Sequence, residues 1–320
     1  MMFRLSGKRT RHVRARQINL TELKRMKTKV ITDSGSGLTQ TQADRLDIGL
    51  LPLQVLIDQD QYLDGVNLTT EQLYAFLDEG KMPTTSQPPL LLEEELFEDL
   101  KKDGYTDLIV INLSNGLSST NQTVQATAKR LGLNVHTLDI YTTLAIQQYV
   151  TIAAKQLLDQ GKDPEEIIDI LKAAIDQSAG YLMVDNLDHL AAGGRLTPLA
   201  AKLGGLLKIK PILKVSKDTG GKVDSFDKVR TLHKAVACGV SQVGKALLDG
   251  VDYEFFILNG AADQMAVSTK EMMEALRPGT PVHTLDMFPV IACHTGLGSI
   301  GVQYIPKIEG VTYDETRICD

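Results

Sequence analysis

From Lys29 onward the chain alternates short runs of β-branched and aliphatic residues with stretches of helical period, and that alternation restricts it to an α/β architecture. Strands are expected over 30–32, 50–57, 108–112 and 135–138. Helices are expected over 93–102 and 120–131, with Tyr105, Asp107 and Gly132 punctuating the joins. Alternation of this kind winds a parallel sheet. Two long helical stretches follow, 143–160 and 163–178; the second opens on Asp163 as N-cap, with Pro164 at the first helical position and Glu166 completing a capping box. Beyond them, strands at 181–184, 206–215, 222–226 and 255–258 and helices over 232–248 and 267–276 read as a second α/β domain. The expected organisation is a basic extension over 1–27, a first domain over 28–178 with a wound parallel sheet, and a second over 179–320.

At 320 residues, 43% hydrophobic and 23% charged, the chain has material for two cores, which excludes fibrous and disordered classes. Its apolar runs break well short of the roughly 18 residues that a bilayer crossing needs, so no membrane span is expected. Aromatic residues make up 5% with no Trp, too little for a base-stacking platform or an aromatic carbohydrate groove. The cysteines, Cys238, Cys293 and Cys319, are odd in number and far apart, which fits a reducing cytoplasm better than a disulfide framework.

The net charge of −6 conceals an asymmetry: residues 1–27 carry nine basic groups against Glu22 alone, a net of +8, and the remainder carries −14. An acidic body does not suit a polyanion-binding protein, so no nucleic-acid partner is expected. The basic leader lacks the apolar segment of a secretory signal. It reads as a nucleic-acid arm, a transit-like segment, or sequence upstream of a start at Met26, and in each case it stands outside the fold.

Most catalytic signatures are missing. There is no HExxH, no clustered Cys and His, and no phosphate-binding GxxxxGK[ST]; Gly220-Gly221-Lys222 reads as a hairpin turn. No metal, cofactor or bound nucleotide is therefore expected. A literal GxGxxG at Gly296, Gly298 and Gly301 comes too late for a dinucleotide fold, but glycines opening a helix would free amides for an anion, and His294 stands just before them.

Hydroxyl-rich loops fall at strand ends, where open α/β sheets collect their ligands: Thr32-Asp33-Ser34, the segment from Thr84 to Pro88, and the segment from Ser114 to Thr120. Taken with these loops, the chain resembles the DegV family of bacterial fatty-acid-binding proteins from about Lys29 to Pro306. The resemblance rests on motifs in order: TDS at 32–34, YLDG at 62–65, TSQP at 85–88, LSxxLSxT at 113–120, GGR at 193–195, IKPIL at 209–213, KxR at 228–230 and HxGxG at 294–298. Departures from the family pattern are Pro89 after TSQP, Ser119 and Asn121 in the LSxxLSxT region, Ala192 before GGR, and Leu297 in the last motif; Ala192 alters the charge of a partner-docking surface.

The resemblance implies two α/β domains with an acyl chain buried between them. It implies Thr85, Ser118 and His294 at the carboxylate, Arg230 and Arg195 nearby for phosphoryl transfer or partner contact, and Asp33, Ser34 and Ser119 in support. It also implies a carrier that is not an enzyme by itself. In that role the chain would present a long-chain fatty acid to a separate ATP-binding kinase subunit, with acyl phosphate going on to phospholipid synthesis. Burying roughly fifteen carbons at about 0.8 kcal/mol each offers about 12 kcal/mol gross, so the tail supplies most of the affinity while hydroxyls and loop amides satisfy the carboxylate. The plainer reading of each residue stands beside this one: Ser and Thr in turns cap helices, Ser119 or Thr120 among them, His294 is a hydrogen-bonded structural histidine, and Arg195 is a solvated cation. The rival function is a lipid or ester hydrolase using Ser118 with His294 as base, although no GxSxG elbow or acidic orienter stands at recognisable spacing.

Overall fold

The computed structural model of the protein describes residues 27–202 and 209–314. Nearly all of the basic leader, Cys319 and the first part of the strand expected at 206–215 lie outside the described residues. The strands are β1 (Thr28–Asp33), β2 (Gly49–Leu51), β3 (Gln54–Ile57), β4 (Asp60–Leu63), β5 (Thr84–Ser86), β6 (Asp107–Ile111), β7 (Asn134–Thr137), β8 (Ala179–Met183), β9 (Lys210–Val215), β10 (Asp224–Val229), β11 (Tyr253–Gly260), β12 (Val282–Asp286) and β13 (Ser299–Pro306). The helices are α1 (Gln40–Arg45), α2 (Thr70–Asp78), α3 (Leu90–Lys102), α4 (Thr120–Arg130), α5 (Ala145–Asp159), α6 (Pro164–Ile175), α7 (Leu187–Ala192), α8 (Pro198–Ala201), α9 (Leu232–Ala246), α10 (Asp263–Leu276) and α11 (Pro289–Thr295).

The expected parallel sheet forms in the order β2-β1-β6-β7, every neighbouring pair parallel. β6 is buried along its whole length, as its unbroken apolar run requires of a strand covered on both faces. The single strand expected over 50–57 is two strands in two sheets. Pro52 has no N–H for a ladder, so β2 stays in the parallel sheet and β3 leaves it to head a small antiparallel sheet of order β4-β3-β5. The second large sheet has the order β10-β9-β8-β13-β11-β12, antiparallel except for the β11–β12 pair. The β9–β10 hairpin closes through a 3-10 turn, Lys217–Thr219, and Gly220 and Gly221, both at positive φ, in line with the turn expected there.

Capping agrees in part. Asp163 accepts from the Glu165 and Glu166 amides at 2.8 and 3.0 Å, but the reciprocal half of the expected box is absent, because the Glu166 carboxylate pairs with Lys162. Ser119 stands at the N-cap of α4 without a side-chain cap bond; Ser118 Oγ accepts the Thr120 amide instead, at 3.2 Å. The glycines after His294 end α11 and lead into β13, so they do not open a helix as the sequence suggested.

α5 is buried almost all round and packs against strands of both large sheets. Its buried polar side chains are consequently paired. Gln147 Nε2 donates to the Asp33 carboxylate at 2.8 Å, and Gln303 of β13 accepts the Ile146 amide at 3.0 Å while donating to Thr142 Oγ1 and the Thr143 carbonyl. Gln303 thereby ties the second large sheet to the first turn of α5.

Candidate functional site

A cavity of about 460 Å³ is walled by strands of the second large sheet, by β5 of the small sheet, and by loop residues that follow β2 and β6 of the parallel sheet. Leu53, Leu113, Leu117, Leu182, Val215 and Ile291 supply hydrocarbon, and Thr85, Ser118, Ser119, Arg195 and His294 supply polar groups. The family resemblance implies these five polar residues around one head group, and all five line the cavity.

Thr85 lies in the middle of β5, opposite the fully buried Val55, and is the least exposed of the three residues in that strand. Gln87 pins the loop that follows: its carbonyl accepts Gln54 Nε2 at 2.5 Å and its side chain accepts the Thr123 hydroxyl at 2.6 Å. Thr85 Oγ1 is 2.8 Å from His294 Nε2. His294 comes from the last turn of α11, where its Nδ1 is buried against Gly193 without a hydrogen-bond partner; a side chain at Gly193 would overlap that nitrogen. Burial, then the Arg195 charge, then His189 hold the imidazole down to about 4, so it is neutral at physiological pH. A buried orphan N–H is costlier than a buried orphan lone pair, which assigns the single proton to Nε2. His294 then donates to Thr85, and the Thr85 hydroxyl proton is free to be donated into the cavity.

Ser118 Oγ is 2.8 Å from Thr120 Oγ1, and the 3.2 Å bond from the Thr120 amide fixes its oxygen at the mouth of α4. Because Ser119 caps nothing, its hydroxyl remains for the cavity. The histidine nitrogen that a Ser118 nucleophile would need is occupied by Thr85, and the other has no orienting acceptor, so the geometry offers the hydrolase reading no support.

The supporting residues act at one remove. The Asp33 carboxylate accepts the Leu113 amide at 3.0 Å and the Gly35 amide at 2.9 Å, joining the ends of β1 and β6, and burial raises it to about 6. Ser34 Oγ accepts the Leu53 amide at 3.0 Å and so sets the turn into β3, whose partner strand carries Thr85. Asp64, in the YLDG motif but given no role from sequence, accepts the Val290 amide at the start of α11 at 3.3 Å and positions the helix that carries His294. Burial lifts Asp64 to about 7, with the Asp33 charge adding to the rise. At the other end of α11, His189 Nε2 bonds the Cys293 carbonyl at 2.7 Å.

The two arginines part company. Arg195 lines the cavity, with its guanidinium donating to the Gly193 carbonyl at 2.6 Å. Arg230 is exposed past the far end of β10, and six strand residues, roughly 20 Å of chain, separate it from the wall residue Val223. The structure does not bring Arg230 to the cavity, because β10 runs away from it. The loop of the lining residue Gly116 meets the turn before β10 through close glycine contacts: a methyl on Gly221 would fall on Ser114 Oγ, and one on Gly116 would lie 2.5 Å from the Gly220 carbonyl oxygen. No metal-holding group of His, Cys, Asp and Glu, and no helix long and apolar enough to cross a membrane, occurs among the described residues.

Residues 27–307 match the family model described as "Uncharacterised protein, DegV family COG1307". The chain is 34% identical over 285 residues to a DegV domain-containing protein of Streptococcus pneumoniae, covering 88% of this chain and 100% of that relative. It is 34% identical over 287 residues to a DegV domain-containing protein of Staphylococcus aureus, covering 88% and 98%. Among solved structures it is similar to a fatty acid binding DegV family protein of Streptococcus agalactiae, with a TM-score of 0.80 at 29% identity over 88% of this chain and 99% of that one. It is also similar to DegV, a fatty acid binding protein from Bacillus subtilis, with a TM-score of 0.79 at 29% identity over 88% and 100%. A model match over nearly the whole described chain, relatives matched along their full length and a solved DegV structure of similar fold lead to one conclusion: the chain belongs to the DegV family.

Proposed function

We propose that the protein binds a long-chain fatty acid in this cavity and presents its carboxylate to a separate ATP-binding kinase subunit in the cytoplasm. The observation that carries the reading is the pairing of a largely hydrocarbon cavity with a spare hydroxyl donor, Thr85, held by a neutral His294. A carboxylate seated there accepts from Thr85 and Ser118, and the fixed positive charge comes from the Arg195 guanidinium rather than from the imidazole. The fatty-acid-binding relatives of Streptococcus agalactiae and Bacillus subtilis support the ligand class. In this reading the chain divides into α/β units over 28–178 and 179–320 with the acyl chain between them, and the leader over 1–27 has no part in binding. The kinase would pass the terminal phosphoryl group of ATP to a carboxylate oxygen, giving acyl phosphate and ADP. Arg195, at the cavity, is better placed than Arg230 to balance that added charge.

The test compares palmitic acid with its methyl ester and with the primary alcohol of the same length, measured by competition against a fluorescent fatty acid. The tails are identical, so differences report the head-group site. The acid is expected to bind at least about tenfold tighter than the ester, a difference of about 1.4 kcal/mol. Equal binding of all three would overturn the carboxylate assignment. Acyl phosphate is expected only when ATP, the kinase subunit and this protein are all present, and its formation by this chain alone would refute the carrier reading.

A further inference from the structure

The acyl cavity has a neighbour. A second cavity, of about 250 Å³, is lined in part by Gly37, Ala145, Gln148, Leu285 and Phe288, and two side chains, Leu144 and Leu258, line both spaces. Leu144 is buried and has φ 57° and ψ −126°, a conformation that a residue with a side chain adopts only under constraint. The constraint is visible. Its amide donates to the Gly35 carbonyl at 2.8 Å, its carbonyl accepts the Gln148 amide at 2.8 Å, and the preceding Thr143 hydroxyl donates to the Gly35 carbonyl at 3.0 Å. The backbone is fixed on both sides of a residue that contributes to the lining of both spaces.

Of the polar side chains around the second cavity, Gln42 accepts the Thr39 amide at 2.9 Å, Asp286 accepts from Asn259 Nδ2 at 3.1 Å, and a further set is linked together. Tyr313 Oη donates to Gln148 Oε1 at 2.5 Å, Gln148 Nε2 donates to the Ser36 and Gly37 carbonyls at 3.3 Å, and Ser36 Oγ donates to the Asp33 carbonyl at 2.9 Å. Leu144, Ala145, Leu258, Leu285 and Phe288 present hydrocarbon to the space, beside the exposed Thr284 and Asp286. The second cavity has a little over half the volume of the first, so joining the two would add room for several methylenes.

We propose that Leu144 and Leu258 form the partition that sets the acyl chain length this protein accepts, and that the second cavity takes the distal methylenes of longer chains once the partition is removed. The proposal rests on the fatty-acid reading above. It identifies two specificity-determining residues that no motif in the sequence marks.

The test uses the full chain and saturated fatty acids of about 12 to about 24 carbons, each competed against a fluorescent fatty acid. Leu144→Gly removes the partition and suits the positive φ, so it is the first variant; Leu258→Ala opens the same wall from β11 and is the second. Each is expected to bind acids of about 20 carbons or more at least tenfold tighter than the wild type does, moving the preferred length upward. Adding Ala145→Leu to Leu144→Gly refills the second cavity and is expected to cancel the gain. An unchanged length profile in folded Leu144→Gly and Leu258→Ala, with fatty acid still bound, would overturn the partition and leave the fatty-acid reading standing. Failure of the wild type to bind any fatty acid would overturn both.

Discussion

Thr85 and His294 are 209 positions apart in the chain and 2.8 Å apart in the fold, and their contact joins the small sheet to the helix before β13. Thr85→Val keeps the shape and removes the donor. It is expected to weaken fatty acid binding about tenfold or more, corresponding to loss of one charge-assisted bond of about 1.5 to 3 kcal/mol, and to lower stability by about 1 to 3 kcal/mol because the His294 Nε2–H loses its acceptor. Titration with a fluorescent fatty acid decides the matter; an affinity within twofold of wild type would remove Thr85 from the site.

Burial sets a pH dependence. Asp33 titrates at about 6 and Asp64 at about 7 in the fold, against about 3.9 in an unfolded chain, so the native state retains protons that the unfolded state releases. Their stabilisation is complete below about pH 4 and is lost as pH rises through 6 and 7. His294, held down to about 4 against about 6.5 unfolded, opposes them: its contribution is present above about 6.5 and is lost as pH falls towards 4. Two carboxyls outweigh one imidazole, so stability is expected to rise as pH falls from about 7.5 to about 5. Asp64→Asn keeps an oxygen for the Val290 amide and cannot ionise. It should flatten the rise and exceed wild type in stability at about pH 8, since every tenfold by which folding tightens the hold of Asp64 on its proton is worth about 1.4 kcal/mol. Thermal melts of both proteins across this range check the prediction; parallel curves would contradict it.

The glycine contact between the Gly116 loop and the Gly220–Gly221 turn has its own signature. Gly221→Ala adds a methyl at φ 70° where Ser114 Oγ already sits, whereas Gly80→Ala, at φ 79°, meets nothing within 4 Å. Both variants incur the backbone cost of roughly 1 kcal/mol, but only the first forces the loops apart. Gly221→Ala is therefore expected to melt lower than Gly80→Ala and to release bound fatty acid faster. Equal melting temperatures and equal off-rates would mean that the loops part freely.

Gln303→Leu tests the tie between the second large sheet and α5. The Ile146 amide, Thr142 hydroxyl and Thr143 carbonyl lose their partner in a buried place, and each orphaned group costs about 1 to 3 kcal/mol. A loss of about 3 kcal/mol or more in denaturant unfolding is expected, and a change under about 1 kcal/mol would show that water replaces the side chain.

The parallel sheet is legible in the sequence because β1 carries the β-branched Val30-Ile31-Thr32 and β6 an apolar run, both bounded by turn residues, and α6 because Asp163 and Pro164 mark its start. β5 is not legible: it is Thr84-Thr85-Ser86, three polar residues with no apolar alternation, and it becomes a strand only because β3 offers an edge. Hydroxyl-rich loops and ordered motifs lead to Thr85, Ser118 and His294, since chemistry there is carried by residue type. Arg230 shows the limit, because a motif cannot say which end of a strand faces a cavity. Asp64, Gln147 and Gln303 act through bonds to backbone or to side chains across the fold. Their sequence trace is faint: a carboxylate in a turn, and glutamines where the period favours apolar residues. The partition at Leu144 leaves no trace, because its strained backbone arises from bonds to Gly35 and Gln148.

The most direct measurement of the central claim is native mass spectrometry of the full chain purified from cells without added lipid, followed by organic extraction and identification of what it carried. One long-chain fatty acid per chain is predicted in the wild type, with occupancy sharply reduced in Thr85→Val. A protein carrying nucleotide, or no ligand even after incubation with fatty acid, would contradict the account.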